Sequence, residues 1–294
     1  MGIPSINALY HSIFVYGQTL ETPIPSLWQK ISSAYKSAVK QLIEFLRSHK
    51  YITTAGVMGT LLFEPLINLQ AAYLFPYGWK EKFQYYGLNP EKLTPSQAQK
   101  RPLLCIHGDN HNQSAWLTLA KASEQSHAGP IFTINLDLKR SSWTEDARSL
   151  LNAKIEEIKR QYREQGIDDV QIDIAGHSTG ASLAFYTALE PSSWKVSPEG
   201  RAEVNPDKIA WRKDIGNIIR IGTPTTAKEN ELLDPEMRNR IFEIDGTDDL
   251  LVDARSTARP DHRAEIPCGH VELIFSPETC ALISRWRGQA PVRV

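Results

Sequence analysis

The sequence predicts an α/β protein with a mostly parallel sheet, helices on both faces of the sheet, and an N-terminal helical extension. From about residue 100 onward, short apolar runs alternate with helical patterns, which is typical of parallel βαβ units. Earlier in the chain, apolar residues recur at helical spacing. The polar segment 94–102, which contains two prolines, separates these parts. We therefore expect an extension at 1–98 and a second domain at 99–294.

Six apolar segments of the second domain are predicted as strands and three patterned segments as helices. The strands are expected at residues 102–108, 131–136, 170–177, 217–224, 240–246 and 263–266, and the helices at 146–166, 179–190 and 276–288. In open parallel sheets, reactive groups collect at the carboxyl ends of the strands. A site is therefore expected among the residues that directly follow these strands.

Composition excludes some classes of function. The chain of 294 residues has a formal net charge of −1 and a pI near 6.7, so no global charge favours nucleic acid as a partner. Three cysteines do not make a disulfide framework, which favours a reducing compartment. The first residues lack the basic stretch, apolar core and small-residue cleavage site of a signal peptide. We expect a cytoplasmic protein, with membrane association as the alternative.

The N-terminal extension contains two segments that differ in character. Residues 26–50 repeat apolar residues at helical spacing and carry basic residues on the polar side, which predicts a surface helix packed on the second domain or, alternatively, a membrane-surface helix. Residues 52–79 are apolar and aromatic, but polar residues and a proline interrupt them too early for a spanning helix. Three interpretations stay open: buried helices, peripheral membrane contact through residues 26–79, and the wall of an acyl-chain pocket.

The most specific motif is Gly176-His177-Ser178-Thr179-Gly180, which fits G-x-S-x-G between a predicted strand and a predicted helix. A serine in such a turn adopts a strained backbone conformation that lifts its hydroxyl above the sheet edge, and the flanking glycines leave room for the turn. Thr179 begins the helix, so its free N–H faces the same place. Ser178 is therefore the predicted nucleophile.

With these residues in view, the chain resembles the α/β-hydrolase superfamily, and within it the lipase and esterase type of serine hydrolase. The resemblance is carried by LLCIHG at 103–108 with the later Trp116, by IAGHSTGASLA at 174–184 and by IGTP at 221–224. It covers about residues 100–290. It implies an α/β-hydrolase fold for a catalytic domain at 99–294 and a Ser-Asp-His triad that needs no cofactor.

In this family the acid follows the serine along the chain, and the histidine comes last. The acid is expected just beyond the strand that ends at Gly246, where the family pattern favours Asp249 and leaves Asp248 as the alternative. Of the two histidines that follow, His270 resembles the family's Gly-His block before the last helix. His262 stands between charged residues and is expected to be a solvated surface residue.

The resemblance also implies an oxyanion hole with two backbone N–H donors, one from Thr179 and one from the loop after the first strand, where Asp109 holds the donor position. The Asp109 carboxylate would oppose a developing negative charge, so it is expected to point away or to bond locally. His107 is expected to be structural. A metal site at His107, Asp109 and His111 is disfavoured because no second ligand cluster accompanies them.

These residues predict a serine hydrolase that cleaves carboxylic esters, with lipid acyl esters as the expected substrates. An acyltransferase or thioesterase with the same triad is the nearest alternative, because all of these share an acyl-enzyme. A non-catalytic binding protein on the same fold is a further alternative. Residues 192–216, an irregular stretch with two tryptophans, are expected to form a surface loop or a small lid.

Overall fold

The computed structural model describes residues 78, 88–109, 111–126, 129–136, 145–197, 202–223, 234–249, 251–252 and 262–288. The predicted helix at 26–50 and nearly all of the apolar segment 52–79 lie outside the described residues, so the expectations for them stay predictions. No helix in the ranges above is long and apolar enough to cross a lipid bilayer.

Strands and helices alternate along the described part of the chain. The strands are β1 (Leu103–Ile106), β2 (Ile131–Ile134), β3 (Ile172–His177), β4 (Trp194–Val196), β5 (Ala202–Val204), β6 (Ile215–Ile221), β7 (Ile241–Gly246) and β8 (Arg263–Ile266). The α-helices are α1 (Pro95–Ala98), α2 (Leu117–Ser126), α3 (Glu145–Arg163), α4 (Thr179–Ala188), α5 (Pro235–Arg238) and α6 (Pro277–Trp286). The predicted α/β class is confirmed.

All six predicted strands join one parallel sheet in the order β2-β1-β3-β6-β7-β8. Every residue of β3 and β6, the two central strands, is buried. Continuous burial of this kind is expected when both faces of a parallel sheet are covered, because neither face meets water. Because all six strands are parallel, their carboxyl ends meet along one edge of the sheet.

Alternate residues of the strands supply two separate cores. One core lies between the sheet and helices α3 and α4, and includes Leu104, Ile174, Ile218, Ile155 and Phe185. The other lies between the sheet and helices α2 and α6, and includes Leu103, Ala175, Ile219, Leu119 and Ile283. Successive side chains of a strand point to opposite faces, so β1, β2, β3, β6 and β7 each contribute to both cores. The prediction of helices on both faces is confirmed.

The segment before β1 is packed against the sheet. Leu88 forms a parallel bridge with Ile131 of β2 and is 1% exposed. Thr94 caps α1 by accepting a hydrogen bond from the N–H of Gln97, and Ala98 at the end of that helix is buried. The polar segment 94–102 therefore contains a capped helical turn, and its role as a boundary between two parts of the chain stays a prediction. Whether residues 1–98 act as a separate extension stays a prediction.

The excursion between α4 and β6 lies at the amino-terminal edge of the sheet. Helix α4 starts at the carboxyl edge, so its last turn reaches the opposite edge, where Leu189 forms an antiparallel bridge with Trp211. The ring of Trp194 packs on Tyr186, with their centroids 5.3 Å apart. The hypothesis of a lid at 192–216 was wrong for the described residues, because they are anchored far from Ser178.

Candidate active site

Ser178 occupies a sharp turn between β3 and α4. Its backbone has φ 53° and ψ −125°, a strained combination for a residue with a side chain. The Ser178 N–H donates to the carbonyl of Ile221 on β6 at 2.8 Å, which holds the turn against the neighbouring strand. The Ser178 side chain makes no capping hydrogen bond with α4. Its hydroxyl is therefore not engaged in stabilising the helix on which it stands.

The two glycines of the motif allow the turn to pack directly on the loop after β1. A Cβ atom on Gly180 would lie 2.3 Å from the carbonyl oxygen of His107, and one on Gly176 would lie 2.3 Å from the carbonyl oxygen of Gly180. A Cβ on Gly108 would lie 3.0 Å from the Cβ of Ser178. The loop at 107–109 and the serine are therefore in van der Waals contact.

Replacing Gly180 with alanine is expected to destabilise the protein by about 3 kcal/mol or more, because the clashing atoms are backbone atoms of Ile106 and His107, at the end of β1 and in the loop after it. Urea unfolding followed by circular dichroism measures the change. Ser182→Ala, two residues further along α4, is the matched control and should lie within about 1 kcal/mol of wild type. Equal stability of Gly180→Ala and the control would contradict this packing.

Asp249 and His270 form a hydrogen-bonded pair beyond the ends of β7 and β8. Nδ1 of His270 lies 2.7 Å from Oδ2 of Asp249, and the two side chains are 8% and 2% exposed. The other carboxylate oxygen, Oδ1, accepts the N–H groups of Leu251 at 2.8 Å and Val252 at 2.9 Å. This arrangement favours the tautomer with the proton on Nδ1, which leaves Nε2 of the neutral ring free to accept a proton.

The His270 ring lies against the turn that carries Ser178. A Cβ on Gly222, the residue after Ile221, would lie 3.2 Å from Nδ1 of His270. The rings of His177 and His270 have centroids 4.7 Å apart. Within the described residues, no hydrogen bond joins the Ser178 hydroxyl to the His270 ring. His270 is thus paired with Asp249, and its ring lies at the turn that carries Ser178. The Ser178 hydroxyl and the His270 ring are not hydrogen-bonded to each other.

Of the two residues named for the oxyanion hole, Thr179 directly follows the serine in the chain, and Asp109 follows Gly108, which packs against the serine. Thr179 is the first residue of α4, so its N–H has no acceptor within the helix. Asp109 lies in the turn next to Gly108 and is exposed to solvent. Their roles as amide donors stay predictions.

His107 has both ring nitrogens engaged. Nδ1–H donates to the carbonyl of Gly108 at 2.8 Å, and Nε2 accepts the N–H of Leu136 at 3.0 Å. Burial lowers the pKa of His107 to about 4, so the ring is neutral at physiological pH. These contacts fit the expected structural role. In the described part of the chain, no group of three or more His, Cys, Asp or Glu side chains is arranged to hold a metal ion.

The expectation for His262 was wrong. Its ring packs on Phe242 of β7, with centroids 4.3 Å apart, and is partly buried. The charged neighbours of His262 in the sequence suggested solvation, but the start of β8 lies beside the start of β7, where Phe242 offers an apolar surface.

One residue that contacts the candidate site, His177, carries no functional signal in the sequence. It occupies the variable position of the motif, yet its Nε2 lies 3.0 Å from the carbonyl oxygen of His270. These two residues are 93 positions apart. No local pattern could have shown this contact, because it depends on how β3 and the end of β8 are brought together.

The sheet order, the strained Ser178 between β3 and α4, and the Asp249–His270 pair beyond β7 and β8 define an α/β-hydrolase fold. No protein-family model matches the chain, and no curated protein was found to be similar to it in sequence.

Solved structures of similar chains include an α/β serine hydrolase without a lid from Xanthomonas campestris, at 14% identity and a TM-score of 0.43, covering 69% of this chain and 88% of that one. A thermophilic esterase from Thermogutta terrifontis has 13% identity and a TM-score of 0.43, covering 67% and 85%. An α/β serine hydrolase homologue from Coxiella burnetii has 16% identity and a TM-score of 0.43, covering 67% and 87%. Similarity this low says nothing about substrate, which has to be inferred from the chain's own geometry.

Proposed function

We propose that this chain is a serine hydrolase that cleaves carboxylic esters, lipid acyl esters in particular, through an acyl-enzyme on Ser178. One observation carries the proposal: a buried Asp249–His270 pair at 2.7 Å lies at the same sheet edge as a serine in a strained turn. Strained backbone at a strand-to-helix turn is costly and is found where function requires it. A carboxylate that orients an imidazole is the arrangement that activates a serine hydroxyl.

In the first step, Oγ of Ser178 attacks the ester carbonyl carbon while Nε2 of His270 takes the hydroxyl proton. The resulting tetrahedral oxyanion accepts hydrogen bonds from the N–H groups of Thr179 and Asp109. The carbon–oxygen bond to the alcohol then breaks, and His270 gives its proton to the departing alkoxide. The acyl group remains bound to Ser178.

In the second step, a water molecule attacks the acyl-enzyme and His270 again takes the proton. The intermediate collapses, Ser178 recovers its proton from His270, and the carboxylic acid leaves. Asp249 stabilises the imidazolium that forms in each step and holds the ring in position. All proton transfers are made by this chain's own residues.

The preference for lipid acyl groups is the finer part of the proposal. Leu251, two residues after Asp249, is 76% exposed although it is a large apolar side chain. It lies at the edge of the sheet where the ester would bind, so it is available to contact an acyl chain. The apolar composition of residues 52–79 supports the same preference.

A panel of nitrophenyl esters from acetyl to palmitoyl, assayed on the full chain, tests the proposal. We expect hydrolysis with kcat/KM rising beyond the shortest acyl groups, and a fluorophosphonate should label a single peptide that contains Ser178. No hydrolysis and no label, or a label on another serine, would overturn the proposal. Activity confined to acetyl esters would remove the lipid preference, and acyl transfer to an added alcohol in place of free acid would indicate a transferase.

A further inference from the structure

We propose that His177, the residue before the nucleophile, is a positioning residue that ties the main chain of His270 to the turn carrying Ser178. The inference rests on the proposed function, because it gives His177 a role in keeping the catalytic base in place. Sequence patterns of the G-x-S-x-G type treat this position as variable, so the role comes from the geometry of this chain.

The tie is a hydrogen bond combined with a ring contact. Nε2 of His177 lies 3.0 Å from the carbonyl oxygen of His270, and the two rings are tilted at 43° with centroids 4.7 Å apart. His177 is 3% exposed and ends β3, a fully buried central strand. One end of the bond is therefore fixed to a central strand that is buried along its whole length.

The donor and the acceptor of this bond are set by chemistry. A carbonyl oxygen only accepts, so Nε2 of His177 must carry a proton and donate it. Nδ1 of His177 is buried and has no hydrogen-bond partner, which fits the unprotonated nitrogen of a neutral ring. Burial, with the neighbouring His270 ring, holds the pKa of His177 well below its usual range. A neutral His177 also avoids repelling the imidazolium that forms on His270.

The other end of the bond needs such a constraint. His270 lies outside the regular elements, between β8 and the 3₁₀ turn Glu272–Phe275. Asp249 holds the side chain of His270 through Nδ1, but one contact at a ring nitrogen does not fix the main chain from which the ring projects. The bond from His177 fixes that main chain against the same turn that carries Ser178. The bond therefore holds the proposed base, His270, at a fixed position relative to the proposed nucleophile, Ser178.

Two substitutions of equal length separate the hydrogen bond from simple filling of space. In His177→Gln, the side-chain amide nitrogen takes nearly the position of Nε2 and can donate to the His270 carbonyl. In His177→Met, a side chain of similar length and volume has no donor. We expect kcat of His177→Met to fall roughly 10- to 100-fold with little change in KM, since a misplaced base affects the chemical step. His177→Gln should recover kcat to within about threefold of wild type.

A second measurement does not depend on turnover. The Nδ1–H proton of His270, held by Asp249, should give a low-field proton NMR resonance, assigned by its loss in Asp249→Asn. This resonance should persist in His177→Gln and be broadened or lost in His177→Met, because a loosened loop lets solvent exchange the proton. Circular dichroism confirms that each variant is folded.

The outcomes separate this inference from the proposed function. If both variants are folded, an equal kcat in His177→Gln and His177→Met would overturn the positioning role. This holds whether that shared kcat is close to the wild-type value or far below it. If the wild type hydrolyses no ester, the proposed function fails, and the NMR comparison alone tests the positioning role of His177. A low-field resonance that is kept in His177→Gln and lost in His177→Met supports that role. The same signal in both variants rejects it.

Discussion

Ser178→Ala is expected to lower kcat for ester hydrolysis by at least about 10⁴-fold and to abolish labelling by a fluorophosphonate. The variant keeps the Asp249–His270 pair and the backbone amides beside the serine, but it has no atom to form the acyl-enzyme. What activity remains would come from the oxyanion donors and from substrate binding alone. Steady-state kinetics on the best ester of the panel, together with intact-protein mass spectrometry after labelling, measure both effects.

The loss should not reflect unfolding. The Ser178 side chain makes no capping hydrogen bond, and alanine retains the β-carbon, so the turn is equally strained in both proteins. The free energy of unfolding should therefore stay within about 0.5 kcal/mol of wild type. Alanine is preferred to glycine here, because glycine would also change the strain and the entropy of the unfolded chain.

Ser182 provides the matched control. It lies one turn further along α4, is 7% exposed, and is the next serine in the chain. Ser182→Ala should retain both turnover and labelling. If Ser178→Ala were still labelled, or if only Ser182→Ala lost its label, the assignment of the nucleophile would be wrong.

Much of the fold could be predicted from the sequence because its strands are buried on both faces. A run such as residues 172–177 needs no alternation to be recognised as a central parallel strand. What the sequence could not supply was the arrangement of parts that depend on distant partners. The lid hypothesis at 192–216 was wrong because the direction of α4 carries that excursion to the far edge, and a composition rich in tryptophan does not reveal direction.

The candidate site divides in the same way. The G-x-S-x-G motif is local, so the sequence alone predicts both the turn and the strain at Ser178. Asp249 and Asp248 are adjacent and chemically identical, and only the family pattern favoured one of them. The contact of His177 with His270 joins residues 93 positions apart and carried no sequence signal. Local backbone chemistry is readable from a sequence, whereas contacts between loops at the ends of different strands are set by sheet order.

The carboxylate that orients His270 gives the second large effect. In Asp249→Asn, two N–H donors, from Leu251 and Val252, should retain the single amide oxygen at the Oδ1 position. The amide NH₂ would then face Nδ1 of His270, which could only accept from it. This places the ring proton on Nε2 and leaves no lone pair there for the Ser178 proton. We expect kcat to fall by about 10⁴-fold with KM nearly unchanged.

Asp248→Asn is the matched control, since it removes one carboxylate from the same turn by the same chemical change. The carboxylate bonded to Nδ1 of His270 at 2.7 Å is that of Asp249, so Asp248→Asn should change kcat by less than about threefold. Because both variants alter net charge equally, a difference between them cannot come from the overall field of the protein. Equal small losses would reject both acids, and a larger loss in Asp248→Asn would transfer the role to that residue and contradict the geometry of the pair.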